Sequence, residues 1–340
     1  MSENASQAAS PASTALAPWI AAQAQSLLAQ RGHAWLLAGP SGLGQYELAL
    51  ALARAWLCDH ATPQGACGTC ASCHAIDVHA HADLCVLMPE TVLLDMGWPL
   101  GEKAQSEIDS KKRKPSKEIR VEAMRDTVEF AQRTSARSRG KAVLVFPAER
   151  MNVFTANALL KTLEEPAGDV KFVLATDAAH LLLPTIRSRC LGHTMVWPDP
   201  AAALRWLQSQ GVPAPQANVL LRAAGGRPAD ALQMTPVGER WSLLPKAVQR
   251  GDVNVFKDWT PAQTVDALHK LCHDLLSVKA GATPRFFAAA DLPQGGSWQS
   301  LSAWAKALGE TRRTVEHPFN PGLMQEALVS QAQLALNSRP

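Results

Sequence analysis

Four cysteines lie close together in the first quarter of the chain, and their spacing is that of a metal site. They are Cys58, Cys67, Cys70 and Cys73, in the pattern C-x8-C-x2-C-x2-C. Thiolates at such spacings can surround one Zn²⁺ tetrahedrally, which leaves no open position for catalysis. Because residues 58–83 are poor in apolar side chains, a metal would hold this segment together. We therefore predict a structural zinc module here.

Other interpretations of the cysteine cluster stay open. An iron–sulfur cluster favours C-x2-C-x2-C, but the usual continuation to a further Cys-Pro is absent. His60 or His74 could replace one cysteine, and four free thiols are the remaining alternative. Cys85, Cys190 and Cys272 fall in strand, loop and helix patterns, and we interpret them as ordinary thiols.

A second candidate site is a glycine loop with the outline of a phosphate-binding loop. Its residues are Gly39, Pro40, Ser41, Gly42, Leu43, Gly44, Gln45 and Tyr46. The pattern G-x-x-x-x-G-K-[ST] holds as far as Gly44 and then fails twice. Gln45 stands where lysine would neutralise phosphate charge, and Tyr46 stands where a small hydroxyl would bind Mg²⁺. We interpret the loop as a relic of the fold that binds no ATP. An ordinary strand-to-helix turn is the alternative.

Alternating strand and helix patterns supply the framework for these residues. Apolar runs at 35–38, 84–88, 142–146 and 171–176 are typical of buried parallel strands, and helical patterns separate most of them. This alternation predicts a doubly wound α/β domain over residues 19–197, with a long polar excursion at 89–118. Beyond residue 197 only helical patterns continue, which predicts short helices and then an amphipathic bundle.

Composition limits the class of protein. The 340 residues carry a formal net charge of +3, which is too weak by itself to argue for DNA binding. No apolar run reaches the roughly 18 residues of a membrane span. Residues 1–18, rich in Ala and Ser, lack the features of a signal peptide and are predicted to be a disordered tail. We therefore expect a cytoplasmic protein, in which cysteines bind metal or stay free.

Three further segments resemble a known family. They are TANALLKTLEEP (155–166), FVLAT (172–176) and LLPTIRSRC (182–190). With the glycine loop and the cysteine insert, they resemble the clamp-loader branch of the AAA+ proteins over roughly residues 19–235. The resemblance implies an α/β AAA+ domain, a P-loop NTPase-like parallel sheet with the zinc module, at 19–197. It also implies a small helical lid at 198–239 and an all-α collar domain for oligomerisation at 240–340.

In that family a Ser-Arg-Cys triplet supplies an arginine finger, and here the triplet is Ser188, Arg189 and Cys190. The resemblance implies that Arg189 points into the ATP site of a neighbouring motor subunit. A planar guanidinium can grip phosphate oxygens there by two hydrogen bonds. An ion-paired or solvated surface arginine is the alternative, and Arg187 is a weaker candidate for the finger.

The sequence also departs from an active AAA+ ATPase. Such an enzyme carries two acidic residues after the strand at 142–146, whereas this chain has Phe146 and Pro147 there and Glu149 further along. Thr176 matches the family's first sensor position. Arg227 falls near the second sensor position, and we interpret it as a packing residue.

The resemblance therefore implies a non-hydrolysing subunit of the bacterial DNA polymerase III clamp loader, which helps to load the sliding beta clamp during replication. Its partners would be the gamma or tau motor subunits and delta, with the clamp involved indirectly and primer–template DNA bound by the assembled complex. Two alternatives stay open: a self-sufficient ATPase with an unusual loop, and a zinc-dependent nucleic-acid-binding module.

Two basic clusters offer weaker signals for contact with DNA. One is the run KKRKPSK at 111–117, and the other comprises Arg133, Arg137, Arg139 and Lys141. Solvated loops are the alternative for both.

Overall fold

The structure is a computed structural model that describes residues 16–315, 317 and 319–338. The chain divides into two compact units, the first ending at Pro198 and the second beginning at Asp199. Residues 1–15 of the predicted tail lie outside the described residues, and the first helix begins at Pro18.

A five-stranded parallel sheet runs through the first unit. Its strands are β1 (Ala34–Ala38), β2 (Leu84–Leu87), β3 (Lys141–Val145), β4 (Val170–Thr176) and β5 (Leu191–Thr194). They lie side by side in the order β2-β3-β4-β1-β5, and each neighbouring pair is parallel. Ala38 and Thr176 are register partners, so β1 and β4 end together at the edge where the glycine loop begins.

Helices connect the strands of this unit. They are α1 (Pro18–Leu28), α2 (Gln45–Leu57), α3 (Ala71–Asp77), α4 (Glu90–Asp95), α5 (Glu102–Asp109), α6 (Val121–Gln132), α7 (Val153–Glu164) and α8 (Pro184–Arg187). Single turns of 3₁₀-helix lie at Ala148–Arg150 and Ala179–Leu181. The alternation of strands and helices confirms the predicted α/β class.

The apolar runs of the sequence are the central strands because both of their faces are covered. Every residue of β3 is buried, and β4 is buried at six of its seven positions. Val143 and Phe172 pack with Leu159 of α7 in one cluster. Leu57 of α2 and Ile76 of α3 pack with Ala142 in another. Because burying a large aliphatic side chain contributes about 1.5–3 kcal/mol, the packing of this sheet contributes substantially to the stability of the unit.

Two features of the first unit differ from the sequence-based prediction. The edge strand β5 is absent from that prediction, because Leu191–Thr194 is short, mostly exposed and interrupted by a glycine. The predicted polar excursion at 89–118 contains the helices α4 and α5. Arg113, from the basic run, donates there to the carboxylates of Glu90 and Glu107.

The second unit is helical. Its helices are α9 (Pro200–Ser209), α10 (Ala214–Ala223), α11 (Pro228–Gln233), α12 (Gly238–Trp241), α13 (Leu244–Arg250), α14 (Pro261–Lys279), α15 (Trp298–Thr314) and α16 (Pro321–Leu336), with 3₁₀ turns at Thr235–Val237, Val253–Phe256 and Ala289–Asp291. The first three helices share one hydrophobic cluster, and α12 to α16 share a larger one.

Within the described residues, no helix combines the length and the apolar character needed to span a bilayer.

Candidate functional site

Gln45 begins α2 directly after the glycine loop, and its side chain is turned back into that loop. Its Nε2 donates to the carbonyl oxygens of Gly39 at 2.7 Å and Pro40 at 2.8 Å. It also donates to Oδ1 of Asp177 at 2.8 Å, just beyond the end of β4. The residue is only 3% exposed. The side-chain amide is therefore hydrogen-bonded within the chain. At this position the chain presents no positive charge to a phosphate.

Tyr46 is also engaged within the chain. Its phenol oxygen accepts a hydrogen bond of 2.8 Å from the indole Nε1 of Trp98, which lies between α4 and α5. Its ring packs against Phe146 with centroids 5.5 Å apart. Burial raises the pKa of the phenol to about 12, more than the hydrogen bond from Trp98 lowers it. A neutral, partly buried phenol in this position is unsuited to bind Mg²⁺, which takes compact oxygen ligands at about 2.0–2.1 Å.

Close packing and backbone conformation favour glycine at two positions of the loop. Gly44 has φ +95°, and a Cβ atom there would lie 2.6 Å from Cδ1 of Ile20 in α1. A Cβ atom on Gly39 would lie 2.7 Å from Cβ of Met195. Leu43, between them, is buried, and its carbonyl accepts a hydrogen bond from the indole of Trp19. The loop is thus part of the packed core of the unit, whether or not a nucleotide binds.

Thr176 and Glu149 meet at the same edge of the sheet. The hydroxyl of Thr176 donates to Oε2 of Glu149 at 2.6 Å and accepts from the backbone N–H of Ala178. In the sequence-based interpretation, Thr176 matches a sensor position of the resembled family, and Glu149 is a displaced acidic residue. The structure brings them together, in direct contact with each other.

The four clustered cysteines converge at the C-terminal end of α2. Their Sγ atoms all lie within 4.8 Å of one another, and two of the distances from Cys58, to Cys70 and to Cys73, are 3.8 Å. Four sulfurs at about 2.3 Å from a tetrahedral zinc would lie about 3.8 Å apart. The residues present therefore fit a tetrahedral tetrathiolate metal site.

The four thiols lie in different local environments. Burial raises the pKa of Cys73 to about 12 and also raises that of Cys58. A hydrogen bond from the backbone N–H of Thr69 lowers the pKa of Cys67 to about 6. Two backbone N–H groups, of His60 and Cys67, donate to the sulfur of Cys58. Such donors stabilise a thiolate, the form that binds a metal.

A polar network joins the cysteine segment to the loop that precedes β3. Asp59 accepts from the hydroxyl of Ser72 at 2.8 Å, and Arg137 donates to the same hydroxyl at 3.1 Å. Arg139 donates to the backbone carbonyl of Asp59. Lys141 is 5% exposed and donates to the carbonyl of Phe130. The interpretation of Lys141 as a residue that faces DNA is therefore wrong, and the two arginines contact the cysteine segment.

Asp83 fixes that loop from the other side. It is 1% exposed, and its carboxylate accepts from the backbone N–H groups of Ala136 and Arg137 and from the hydroxyl of Ser135. Burial alone would raise the pKa of Asp83, but these three hydrogen bonds outweigh it and lower the pKa below its ordinary value. The ionised carboxylate thus holds the loop in place.

Arg189 lies just beyond α8 and is paired within the chain. Its Nε and Nη2 both donate to Oε1 of Glu164, the last residue of α7. Its Nη1 donates to the carbonyl oxygen of Thr185 at 2.9 Å and to the hydroxyl of Ser188 at 3.4 Å. The side chain is 32% exposed. Cys190 is half-buried against the core, and burial raises the pKa of its thiol to about 11.

The residues that sequence reasoning missed are the partners of the predicted ones. Asp177, Trp98 and Glu164 contact Gln45, Tyr46 and Arg189 respectively. For Asp177 a signal was available, because a polar residue at the carboxyl end of a strand next to β1 must lie near the glycine loop. For Trp98 and Glu164 the sequence held no local signal.

A parallel sheet of this strand order, with a glycine loop between β1 and α2 and a helical second unit, defines an AAA+ protein. The comparisons with known proteins narrow this class. The family model described as DNA polymerase III, delta subunit, matches residues 20–195. DNA polymerase III subunit delta′ of Pseudomonas aeruginosa is 38% identical over 214 residues, which are 62% of this chain and 58% of that protein. The chain belongs to the delta′ family of DNA polymerase III clamp-loader subunits.

Two further relatives extend the comparison. Subunit delta′ of Yersinia pestis is 31% identical over 254 residues, covering 69% of this chain and 68% of that protein. DNA polymerase III subunit tau of Escherichia coli is 32% identical over 209 residues, covering 60% of this chain and 28% of that protein. The matched region thus spans less than two thirds of the length of the Pseudomonas relative.

Proposed function

We propose that this chain is a non-hydrolysing clamp-loader subunit that lends Arg189 to the ATP site of a neighbouring gamma or tau subunit. The observation that supports the proposal most is that the side-chain amide of Gln45 is hydrogen-bonded within the chain. Its amide is bound to Gly39, Pro40 and Asp177, so the lysine of an active loop is replaced by a neutral group with no free donor for phosphate. Charge-assisted hydrogen bonds are roughly twice as strong as neutral ones.

Arg189 has the properties that the finger requires. It lies at the end of a short surface helix, is partly exposed, and is held near the surface by Glu164 and Thr185. In the neighbour's site its guanidinium would stabilise the charge that develops on the transferred phosphoryl group. Fingers supplied by a second protein raise turnover by about 10³–10⁵.

The rest of the chain supports assembly in this proposal. The α/β domain comprises residues 19–197, the helices at 198–239 form a lid, and the bundle at 240–340 forms a collar that joins the other subunits. The four cysteines hold a structural Zn²⁺ that stabilises the segment between α2 and β2. Gamma or tau and delta are the direct partners. The complex would act on the sliding beta clamp and on primer–template DNA in the bacterial cytoplasm.

Reconstitution of the complex tests the proposal. ATP turnover stimulated by clamp and primed DNA is measured with the wild-type chain, with Arg189→Ala and with Arg187→Ala as the control. Arg187 is an exposed arginine, the last residue of α8 and two positions before Arg189. We expect Arg189→Ala to assemble normally and to lose turnover at the site it faces by a factor on the order of 10³, while Arg187→Ala retains it. Wild-type turnover with Arg189→Ala would refute the finger.

The non-hydrolysing role has a separate test. Equilibrium binding of labelled ATP by the isolated chain should be undetectable at micromolar concentrations. Magnesium-dependent turnover by the isolated chain would instead establish the self-sufficient ATPase.

A further inference from the structure

The contact between Glu164 and Arg189 links the end of α7 to the residue after α8, across 25 positions of the sequence. We propose that Glu164 is a positioning residue for Arg189, holding one edge of the guanidinium so that the opposite edge is presented to a nucleotide phosphate on the neighbouring subunit. This inference rests on the proposed function of Arg189 as a finger in trans.

The hydrogen bonds of Arg189 show which edge is held and which is available. Of the five N–H groups of a guanidinium, those on Nε and one on Nη2 are directed at a single oxygen of Glu164. One on Nη1 is directed at the carbonyl of Thr185 at 2.9 Å. The second N–H of Nη2 has no acceptor among these contacts, and the second of Nη1 reaches only the hydroxyl of Ser188 at 3.4 Å, a long contact. The outer edge, with one N–H from each terminal nitrogen, can therefore bind a phosphate bidentately while the inner bonds persist.

In this proposal, Glu164 affects the orientation of the Arg189 side chain more than it affects the stability of the fold. Its side chain is 46% exposed and that of Arg189 is 32% exposed, and exposed ion pairs contribute little to stability. A free arginine side chain samples many rotamers, and binding must order it. A carboxylate that already holds the guanidinium before the nucleotide reacts lowers the entropic cost of ordering it in the transition state. Small errors in the placement of such a group reduce turnover strongly.

The chain offers a matched control next to Glu164. Glu165 is the following residue, carries the same charge, is exposed, and lies just beyond the end of α7. A substitution there changes the net charge of this surface by the same amount, but it removes no contact with Arg189 seen in the structure.

The experiment uses the reconstituted complex and measures kcat and KM for ATP with Glu164→Ala, Glu164→Gln, Glu165→Ala, Arg189→Ala and the double variant Arg189→Ala/Glu164→Ala. We expect Glu164→Ala to lower kcat about tenfold with KM nearly unchanged. Glu164→Gln keeps an acceptor oxygen and should retain at least half of the wild-type kcat. Glu165→Ala should match the wild type, and Glu164→Ala should have no further effect in the Arg189→Ala background. Thermal unfolding of all variants should coincide within a few degrees.

The outcomes separate this inference from the proposed function. If Arg189→Ala loses turnover but Glu164→Ala matches Glu165→Ala, the finger stands and the positioning role is overturned. If Glu164→Ala raises turnover, Glu164 is a competitor of the phosphate, which also overturns the positioning role. If Arg189→Ala itself has no effect, the proposed function fails, and the positioning role fails with it.

Discussion

The indole N–H of Trp98 donates to the phenol oxygen of Tyr46 at 2.8 Å, which joins the segment between α4 and α5 to the first turn of α2. Trp98 is 7% exposed, and its ring stacks on that of His79 with centroids 3.8 Å apart. The residue that occupies the Mg²⁺-binding position of an active loop is therefore fixed by a side chain from elsewhere in the fold. In the proposed non-hydrolysing role, Tyr46 therefore adds to the effect of the missing lysine.

We predict that Gln45→Lys does not confer ATP binding on this loop. The ammonium group can replace the amide at the carbonyls of Gly39 and Pro40 and can pair with Asp177, so the variant should fold. Tyr46 still blocks the metal position, and Phe146 and Pro147 still replace the acidic pair. Equilibrium binding of labelled ATP with Mg²⁺ should give a Kd weaker than about 1 mM, an interaction of no more than about 4 kcal/mol. A micromolar Kd, or any magnesium-dependent turnover, would contradict this prediction.

The same site gives a prediction about pH. The chain has a single tyrosine, so the absorbance of phenolate reports Tyr46 alone. Burial raises its pKa from the ordinary value of 10.0 to about 12 in the folded protein. Because the folded-state pKa is the higher one, the stability from the neutral phenol is complete below pH 10 and is lost as the pH rises from 10 to 12. Titration in concentrated urea should show ionisation near pH 10, and the folded chain should ionise later. Coincident titration curves in the two states would refute the raised pKa of this partly buried phenol.

Much of the fold could be predicted from the sequence because its central strands are continuous apolar runs. β3 and β4 are buried on both faces, and helical periodicity marked α6 and α7. The edge strand β5 and the helices α4 and α5 are only 4, 6 and 8 residues long, which is too short for either pattern to identify them from the sequence. Their composition is compatible with several local structures.

The candidate sites also differ in how much of them the sequence predicts. The convergence of the four cysteines could be predicted because all four lie in one short segment, whose spacing restricts the geometry. The partners of Tyr46 and Arg189 could not, because Trp98 and Glu164 lie 52 and 25 positions away. Such contacts depend on how the elements pack, and no local spacing encodes them.

The cysteine cluster predicts one bound metal ion per chain. Purified protein should release about one equivalent of Zn²⁺ when its thiols are blocked with a mercurial reagent, detected with a chromogenic chelator. Cys67→Ser and Cys70→Ser should each lower the zinc content several-fold and increase amide hydrogen exchange between α2 and α3. Cys272→Ser is the control, because Cys272 is buried in the second unit, outside the cluster. Full zinc content in both cluster variants would exclude this site.

Gly44 allows a test of whether the glycine loop is retained for packing. Gly44→Ala introduces a Cβ at φ +95°, 2.6 Å from Cδ1 of Ile20. Left-handed backbone costs a non-glycine residue about 1–2 kcal/mol, and overpacking adds about 1–3 kcal/mol. We expect urea denaturation to show a loss of about 2–5 kcal/mol in the free energy of unfolding.

Gly168→Ala isolates the backbone contribution to that loss. Gly168 has φ +69°, and no atom lies within 4 Å of the position that its Cβ would take. The variant should therefore lose only the cost of the left-handed backbone, about 1–2 kcal/mol. Ile20→Ala removes the atom that a Cβ on Gly44 would contact. In the Ile20→Ala background, Gly44→Ala should therefore lower the free energy of unfolding less than it does in the wild type. Equal losses for Gly44→Ala and Gly168→Ala, with no relief from Ile20→Ala, would mean that the loop is held for a reason other than its contact with α1.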